Sequence, residues 1–395
     1  MHILFVTLGF YPALAWGGPV KVVYQNSKEL IRRGHQVTVY CTNLLNKKEK
    51  MSSKTFETDY EGIHVVYFNT WNIASWPGTL GPFWLPDLGA YLEKHIHDFD
   101  VIHLMGYRSP IIPLIASKAR KAHVPIVTHP QGALPVMVSS FFLKRLYDQV
   151  LGKRELQGIS SLIALQEIEK QHAIMRGVPP EKIEIIPNGI DVSAHCRVSK
   201  PGDFRRAFRL SPDGPLILFL GRVNKIKGVD LLIKSFAQLR DLNTQLAIVG
   251  PDDGQMTEIR DLIKELDLEK DVFLTGLVSD EMKSAAYQDA DLYVLPSRSD
   301  AYPTTVMEAC LAEKPMVVTE GCQMAKLIKD RIADVEPFDI DAFASGMRKL
   351  LTDRSLYRKY RDNCKDMMKD TFSIEAVVDR LELLYQRVVS EKRSV

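Results

Sequence analysis

Short, mostly apolar runs recur along this chain, each followed by a longer stretch with helical spacing. Ile3–Thr7, Gln36–Cys41, His64–Phe68, Val101–Leu104, Ile126–His129 and Leu162–Leu165 form one series. Leu216–Leu220, Leu246–Val249, Val272–Thr275, Leu292–Leu295 and Met316–Thr319 form a second. Runs this short and this apolar are what strands covered on both faces look like, because neither face has to meet water. Strand–helix alternation of that kind predicts parallel sheets flanked by helices. The rhythm breaks at the polar connector Val198–Asp213, which holds Pro201, Gly202 and Pro212. Turn formers there mark a boundary.

The expected fold class is therefore α/β, with two Rossmann-like parallel-sheet domains facing across a cleft, residues 1–197 and 198–372. A chain of 395 residues is long enough for each domain to bury its own core. Residues 1–200 carry 22 Lys and Arg against 16 Asp and Glu, whereas residues 201–395 carry 29 against 33. A mildly basic first half suits an acidic acceptor or a membrane surface, and is too weak to argue for nucleic acid. Cys41, Cys196, Cys310, Cys322 and Cys364 show no CxxC and no zinc spacing, which fits reduced thiols in a cytoplasmic protein. The opening MHILFVTLGF reads as a first strand rather than a signal peptide, and no apolar run nears the roughly 20 residues of a membrane span.

Open α/β sheets bind ligands beyond the carboxyl ends of their strands, where helix N-termini offer free N–H groups. Four stretches place suitable chemistry there. The first βα turn carries Gly17 and Gly18, whose bare backbone lets N–H groups approach oxygens closely. His103 and His129 each end a strand. Arg222 and Lys227, in Gly221-Arg222-Val223-Asn224-Lys225-Ile226-Lys227-Gly228, put two cations after another strand. Arg offers a planar fork to phosphate oxygens and Lys a mobile point charge. The stretch 292–310, LYVLPSRSDAYPTTVMEAC, runs from strand through polar loop to helix and brackets it with Asp300 and Glu308. Thr304 or Thr305 is expected to cap that helix. Carboxylates accept from hydroxyls and a helix start holds an anion, so the unit suits a nucleotide sugar. Residues 141–154, FFLKRLYDQVLGKR, read as a helix with an apolar stripe and flanking cations, suited to a membrane interface or an anionic acceptor and equally to an amphipathic core helix.

Taken together these stretches resemble the retaining GT-B glycosyltransferases of family 4, the glycosyl transferases group 1. Pro296 to Ala309 is similar to that family's acidic-x7-Glu signature, and Gly221 to Gly228 to its G-R-x-x-x-x-K-G element. Gly17-Gly18 with Gly34-His35-Gln36-Val37 is similar to its opening, and Ile186-Pro187-Asn188-Gly189 to the element before its interdomain linker. The resemblance implies transfer of a sugar from a UDP- or GDP-linked donor to a hydroxyl of a glycan or lipid-linked glycan, in polysaccharide biosynthesis. It implies no cofactor beyond the nucleotide sugar and no metal, because cations and a helix start would neutralise the diphosphate.

By that likeness Arg222 and Lys227 hold the diphosphate and Glu308 the ribose hydroxyls. His129 and Asp300 meet the transferred sugar, Gly276 and Val278 lie beside the base, and Thr304 and Thr305 supply donors. The final helix, 373–395, would pack back on the first domain, and the protein would be cytoplasmic or peripheral to the inner face of the plasma membrane. Asp300 stands where the family has Glu, about 1.5 Å shorter in reach, and Pro303 where a Gly is common. A GT-B epimerase and a sugar-nucleotide-binding module without catalysis are the competing readings. The acidic-x7-Glu match argues against the first, and Asp300 keeps the second open.

Overall fold

The computed structural model describes residues 1–46, 49–72, 83–109, 111–134, 147–148, 152–192 and 200–393. The chain divides into two compact units, Met1–Gly189 with Ile374–Val395, and Ile190–Ser373. The change of unit falls at Gly189/Ile190, inside the Asn-Gly element and ahead of the polar connector; the connector itself contains a short helix, Asp203–Ala207.

Unit 1 holds β1 (His2–Val6), β2 (Gln36–Thr42), β3 (Phe56–Tyr60), β4 (Ile63–Phe68), β5 (Trp71–Asn72), β6 (Phe83–Trp84), β7 (Val101–Met105), β8 (Ile126–His129), β9 (Ser161–Ala164) and β10 (Ile183–Ile185). Eight of them form one sheet in the order β10-β9-β8-β7-β1-β2-β4-β3, parallel except for the antiparallel edge strand β3. In β1 the side chains alternate between two cores. Ile3 and Phe5 face helices Gly18–Arg32 and Ile374–Arg393, while Leu4 and Val6 face helices Leu88–His95 and Ile111–Lys121. A strand sandwiched this way is apolar on both faces, as Ile3 to Val6 are in the sequence.

The last helix is bound to the first by an ionic clamp. Arg33 reaches Asp379 at 2.5 Å and Glu382 at 2.6 Å, and His35 meets Glu382 at 2.6 Å. His35 is thus structural, closing the first helix against the last.

Unit 2 holds β11 (Leu216–Leu220), β12 (Gln245–Val249), β13 (Val272–Gly276), β14 (Leu292–Leu295), β15 (Met316–Thr319) and β16 (Ala333–Glu336), all parallel, in the order β13-β12-β11-β14-β15-β16. Strands β3 and β16 escape the apolar-run criterion because each lies at a sheet edge and carries polar residues, Glu57 and Asp59 in one and Asp334 and Glu336 in the other. Strand β10 ends at Ile185, and the Ile186–Gly189 element after it is irregular. Among the described residues no helix is long and apolar enough to cross a membrane. The 141–154 stretch lies outside the described residues except for Tyr147, Asp148 and the chain from Gly152.

Candidate active-site residues

Each sheet has one place where the strand order reverses, and ligands of such sheets bind at the carboxyl edge there. In unit 2 it lies between β11 and β14, which pair at Leu218 and Tyr293. The loop after β11 brings Lys227, and the loop after β14 brings Asp300. Their side chains form an ion pair, Nζ to Oδ2, at 19% and 16% exposure. Two residues far apart in sequence thus meet because their strands are neighbours.

The loops approach so closely that a side chain is excluded at two points. Gly228 has φ +68, and a Cβ there would lie 2.0 Å from the Pro296 carbonyl oxygen; a Cβ on Gly321 would lie 2.2 Å from that of Ser297. Asp300 itself is fixed by its backbone, its N–H donating to Gly321 O at 2.9 Å and its carbonyl accepting from Gln323 N at 2.9 Å.

Helix Thr304–Leu311 starts without a side-chain cap. Its N-cap residue is Pro303, so the expected capping by Thr304 or Thr305 is corrected. Thr305 Oγ1 instead accepts from Tyr293 Oη at 2.6 Å, and Thr304 is exposed. The consequence is chemical: among the described residues no side chain caps this start, so the amide groups of the first turn can serve an anion. One turn on, Glu308 is buried and pairs with Lys283, while Tyr287 Oη donates to its Oε2 at 3.0 Å. Burial holds the Tyr287 hydroxyl well above its usual pKa, so it stays a donor.

The Arg222 side chain is open, 65% exposed and tied to Asp253 at 2.8 Å. Asn224 Nδ2 donates to the same carboxylate at 2.7 Å, and Asn224 Oδ1 accepts from Lys227 N at 3.1 Å, capping the turn Lys225–Lys227. Gly276 closes β13 with φ +71, and Val278 follows the fully open Leu277, 79% exposed. Lys283, Tyr287 and Asp253 were not singled out from sequence. Lys283 and Tyr287 stand four apart on one helix, but only the fold shows that they face Glu308.

In unit 1 the reversal lies between β1 and β7. Gly17 is the N-cap of helix Gly18–Arg32, with φ +77 and no side-chain cap, and no described atom beyond its chain neighbours crowds the Cβ positions of Gly17 or Gly18. His103 and His129 are both buried, with rings 5.5 Å apart. His103 Nδ1 is 2.6 Å from Tyr385 Oη on the last helix, a structural contact.

Burial pushes His129 down to about 3, so it is a neutral imidazole at any ordinary pH. Gln131, held at φ +57, donates to His129 Nε2 at 2.9 Å and to Asn188 Oδ1 at 3.0 Å, and Asn188 returns a bond at 2.9 Å. Gln131 is thus a further polar group at this edge that no motif announced.

Family models match both units: that of the glycosyl transferases group 1 over residues 202–367 and that of glycosyltransferase family 4 over residues 16–194. The chain belongs to this family of glycosyltransferases. It has the two-domain GT-B fold. An uncharacterized glycosyltransferase of Methanocaldococcus jannaschii is 26% identical, over 53% of this chain and 55% of that protein. The lipopolysaccharide 1,2-N-acetylglucosaminetransferase of Salmonella typhimurium is 26% identical, over 52% of this chain and 56% of that protein. The chain thus spans about half the length of these curated relatives. The crystal structure of Anabaena HepE, in complex with UDP, superposes with a TM-score of 0.70 at 18% identity, covering 98% of this chain and all of that one. The same Anabaena protein is also known in complex with UDP-glucose.

Proposed function

We propose that this family member transfers a sugar, with retention and without a metal, from a nucleotide-diphosphate donor to a hydroxyl of a glycan or lipid-linked glycan. The observation that carries the reading is the Lys227–Asp300 pair at the unit 2 switch point, beside an uncapped helix start that leads to Glu308. Lys227, assisted by Arg222 and the amides of Thr304 and Thr305, neutralises the diphosphate, whose negative charge grows as the glycosidic bond breaks. Glu308, aimed by Lys283 and Tyr287, accepts from the ribose hydroxyls, and Gly276 and Val278 flank the base. Binding of UDP by the Anabaena neighbour favours a uridine donor over a guanosine one.

Asp300 orients the transferred sugar through its hydroxyls. The bond between the anomeric carbon and the phosphate oxygen breaks, and the acceptor oxygen bonds to that carbon from the same face. The acceptor's proton passes to the departing phosphate oxygen. His129, neutral and buried, fits a hydrogen-bonding role toward the sugar, not proton transfer. Lys227 already engages the Asp300 carboxylate, which supports a working site in spite of the shorter side chain: the cation and the acid are in place together.

Purified protein incubated with a panel of UDP- and GDP-sugars plus glycan acceptors should release nucleotide diphosphate, fully so in EDTA, and the product should keep the donor's anomeric configuration by NMR. An inverted product or strict dependence on manganese would overturn the mechanism. Tight nucleotide binding with no transfer to any acceptor would favour the binding module.

A further inference from the structure

Arg298 belongs to none of the roles above, yet from the loop that carries Asp300 it touches the turn that carries Lys227. We propose that Arg298 is a positioning residue that fastens the Lys227 loop to the Asp300 loop and so sets the geometry of the donor site. The proposal rests on the reading of that site given above.

Arg298 lies two residues before Asp300, and its backbone N–H donates to Ile226 O at 2.8 Å. Its guanidinium donates through Nη1 to Lys225 O, and through Nη1 and Nη2 to the two Asp230 oxygens at 2.9 and 2.6 Å. The same group lies over the Phe338 ring, 4.4 Å from its centroid. Lys225 and Ile226 form the single turn that ends in Lys227, and Asp230 sits in the first turn of the helix that follows, Val229–Phe236. One side chain therefore joins the loop after β14 to the turn after β11, to the next helix and to the segment after β16.

The guanidinium thus grips the backbone of the Lys227 turn itself, at the carbonyl of its first residue, Lys225. Only a planar fork can bind a carboxylate with two parallel N–H bonds, reach a carbonyl and lie flat on a ring at once; an ammonium can do one of these at a time. Packing adds to the tie. A Cβ on Gly228 would come within 2.9 Å of Phe338 Cε2 as well as against Pro296 O, so little space remains for either loop to slide. Held only by their own ion pair, the mobile Lys227 side chain and Asp300 would sample many separations; with the two backbones joined they do not.

The test compares Arg298→Lys, Asp230→Asn and the double variant with wild type. Asp230 faces away into the clamp, so Asp230→Asn reports the clamp without touching the donor. Each single variant should stay folded and lose between about tenfold and a hundredfold in kcat, the cost of misplacing reacting groups by a fraction of an ångström to an ångström, with donor KM changed little. The double variant should be no worse than the singles, because both remove one joint. Amide exchange of segment 224–228 in the unliganded protein should be faster in all three.

Wild-type kcat in folded Arg298→Lys, or losses that add in the double variant, would overturn the proposal. So would unchanged exchange. If wild type itself transfers no sugar, the glycosyltransfer reading fails, and the exchange measurement still decides whether Arg298 is the joint.

Discussion

The two sheets share an architecture and differ in what they place at the point where strand order reverses. In unit 2 that edge is built from paired charges: Lys227 with Asp300, Lys283 with Glu308, Arg222 with Asp253 and Arg298 with Asp230. In unit 1 it presents bare glycine backbone and buried, neutral histidines. On the proposed reading, a diphosphate brings charge that the fixed cations of unit 2 would meet, whereas a sugar or an acceptor hydroxyl brings none, so the neutral hydrogen-bonding groups of unit 1 would suffice and no ion need be desolvated. One fold, used twice, is thus specialised by the residues at a few loop positions.

The sharpest way to break the comparison is to discharge the unit 2 edge. Lys227→Ala should lower kcat about 10²- to 10³-fold, as loss of a preorganised donor does, and Asp300→Ala should abolish transfer while calorimetry still shows nucleotide binding. Wild-type transfer by Asp300→Ala would remove it from the site. Glu308→Gln keeps the shape and loses the charge, so affinity for free nucleotide diphosphate should fall about tenfold to a hundredfold, the range of one charge-assisted hydrogen bond. Undiminished binding would place the ribose elsewhere. Arg222→Ala should cost less, about tenfold in kcat/KM, because the group is exposed and shared with Asp253. A loss equal to that of Lys227→Ala would mean that Arg222 leaves Asp253 for the donor.

Unit 1 supplies the smallest effect and the counterpart. There the consequential titrating group is away from the switch point, at Glu155, which burial, opposed by the Tyr147 hydrogen bond, pushes up to about 8. Tyr147 Oη lies 3.0 Å from Glu155 Oε2 and 3.2 Å from Ser109 O. One hydroxyl proton cannot serve two acceptors, so a protonated Glu155 that donates to Tyr147 satisfies the trio. The folded-state pKa is raised, so the stability is complete below the unfolded value near 4.5 and is lost as pH rises through about 8. The unfolding midpoint of wild type should therefore fall by a few degrees between pH 6 and pH 9. Glu155→Gln, which cannot ionise, should flatten that slope, and an unchanged slope in this variant would assign it to another group.

Much of this was legible in the chain. Strands covered on both faces are mostly apolar, so β1, β2, β8, β11, β14 and β15 could be read directly, and edge strands β3 and β16, which carry acidic residues, could not. Asp300, Glu308, Arg222 and Lys227 were legible because short motifs tie residue type to loop position. The capping of helix Thr304–Leu311 was misread for a local reason: Thr is a good cap, but Pro303 already occupies the cap position and Thr305 is turned to Tyr293. Sequence by itself determined the two α/β units, the carboxyl-edge loops and the kinds of side chain they carry, since periodicity and local chemistry act over a few residues. Which charges face one another was decided only by tertiary structure. Lys227 meets Asp300, and Arg298 meets Lys225 and Asp230, because the sheet order sets β11 beside β14, and that order is fixed by the packing of two whole faces of helices rather than by any local stretch of chain.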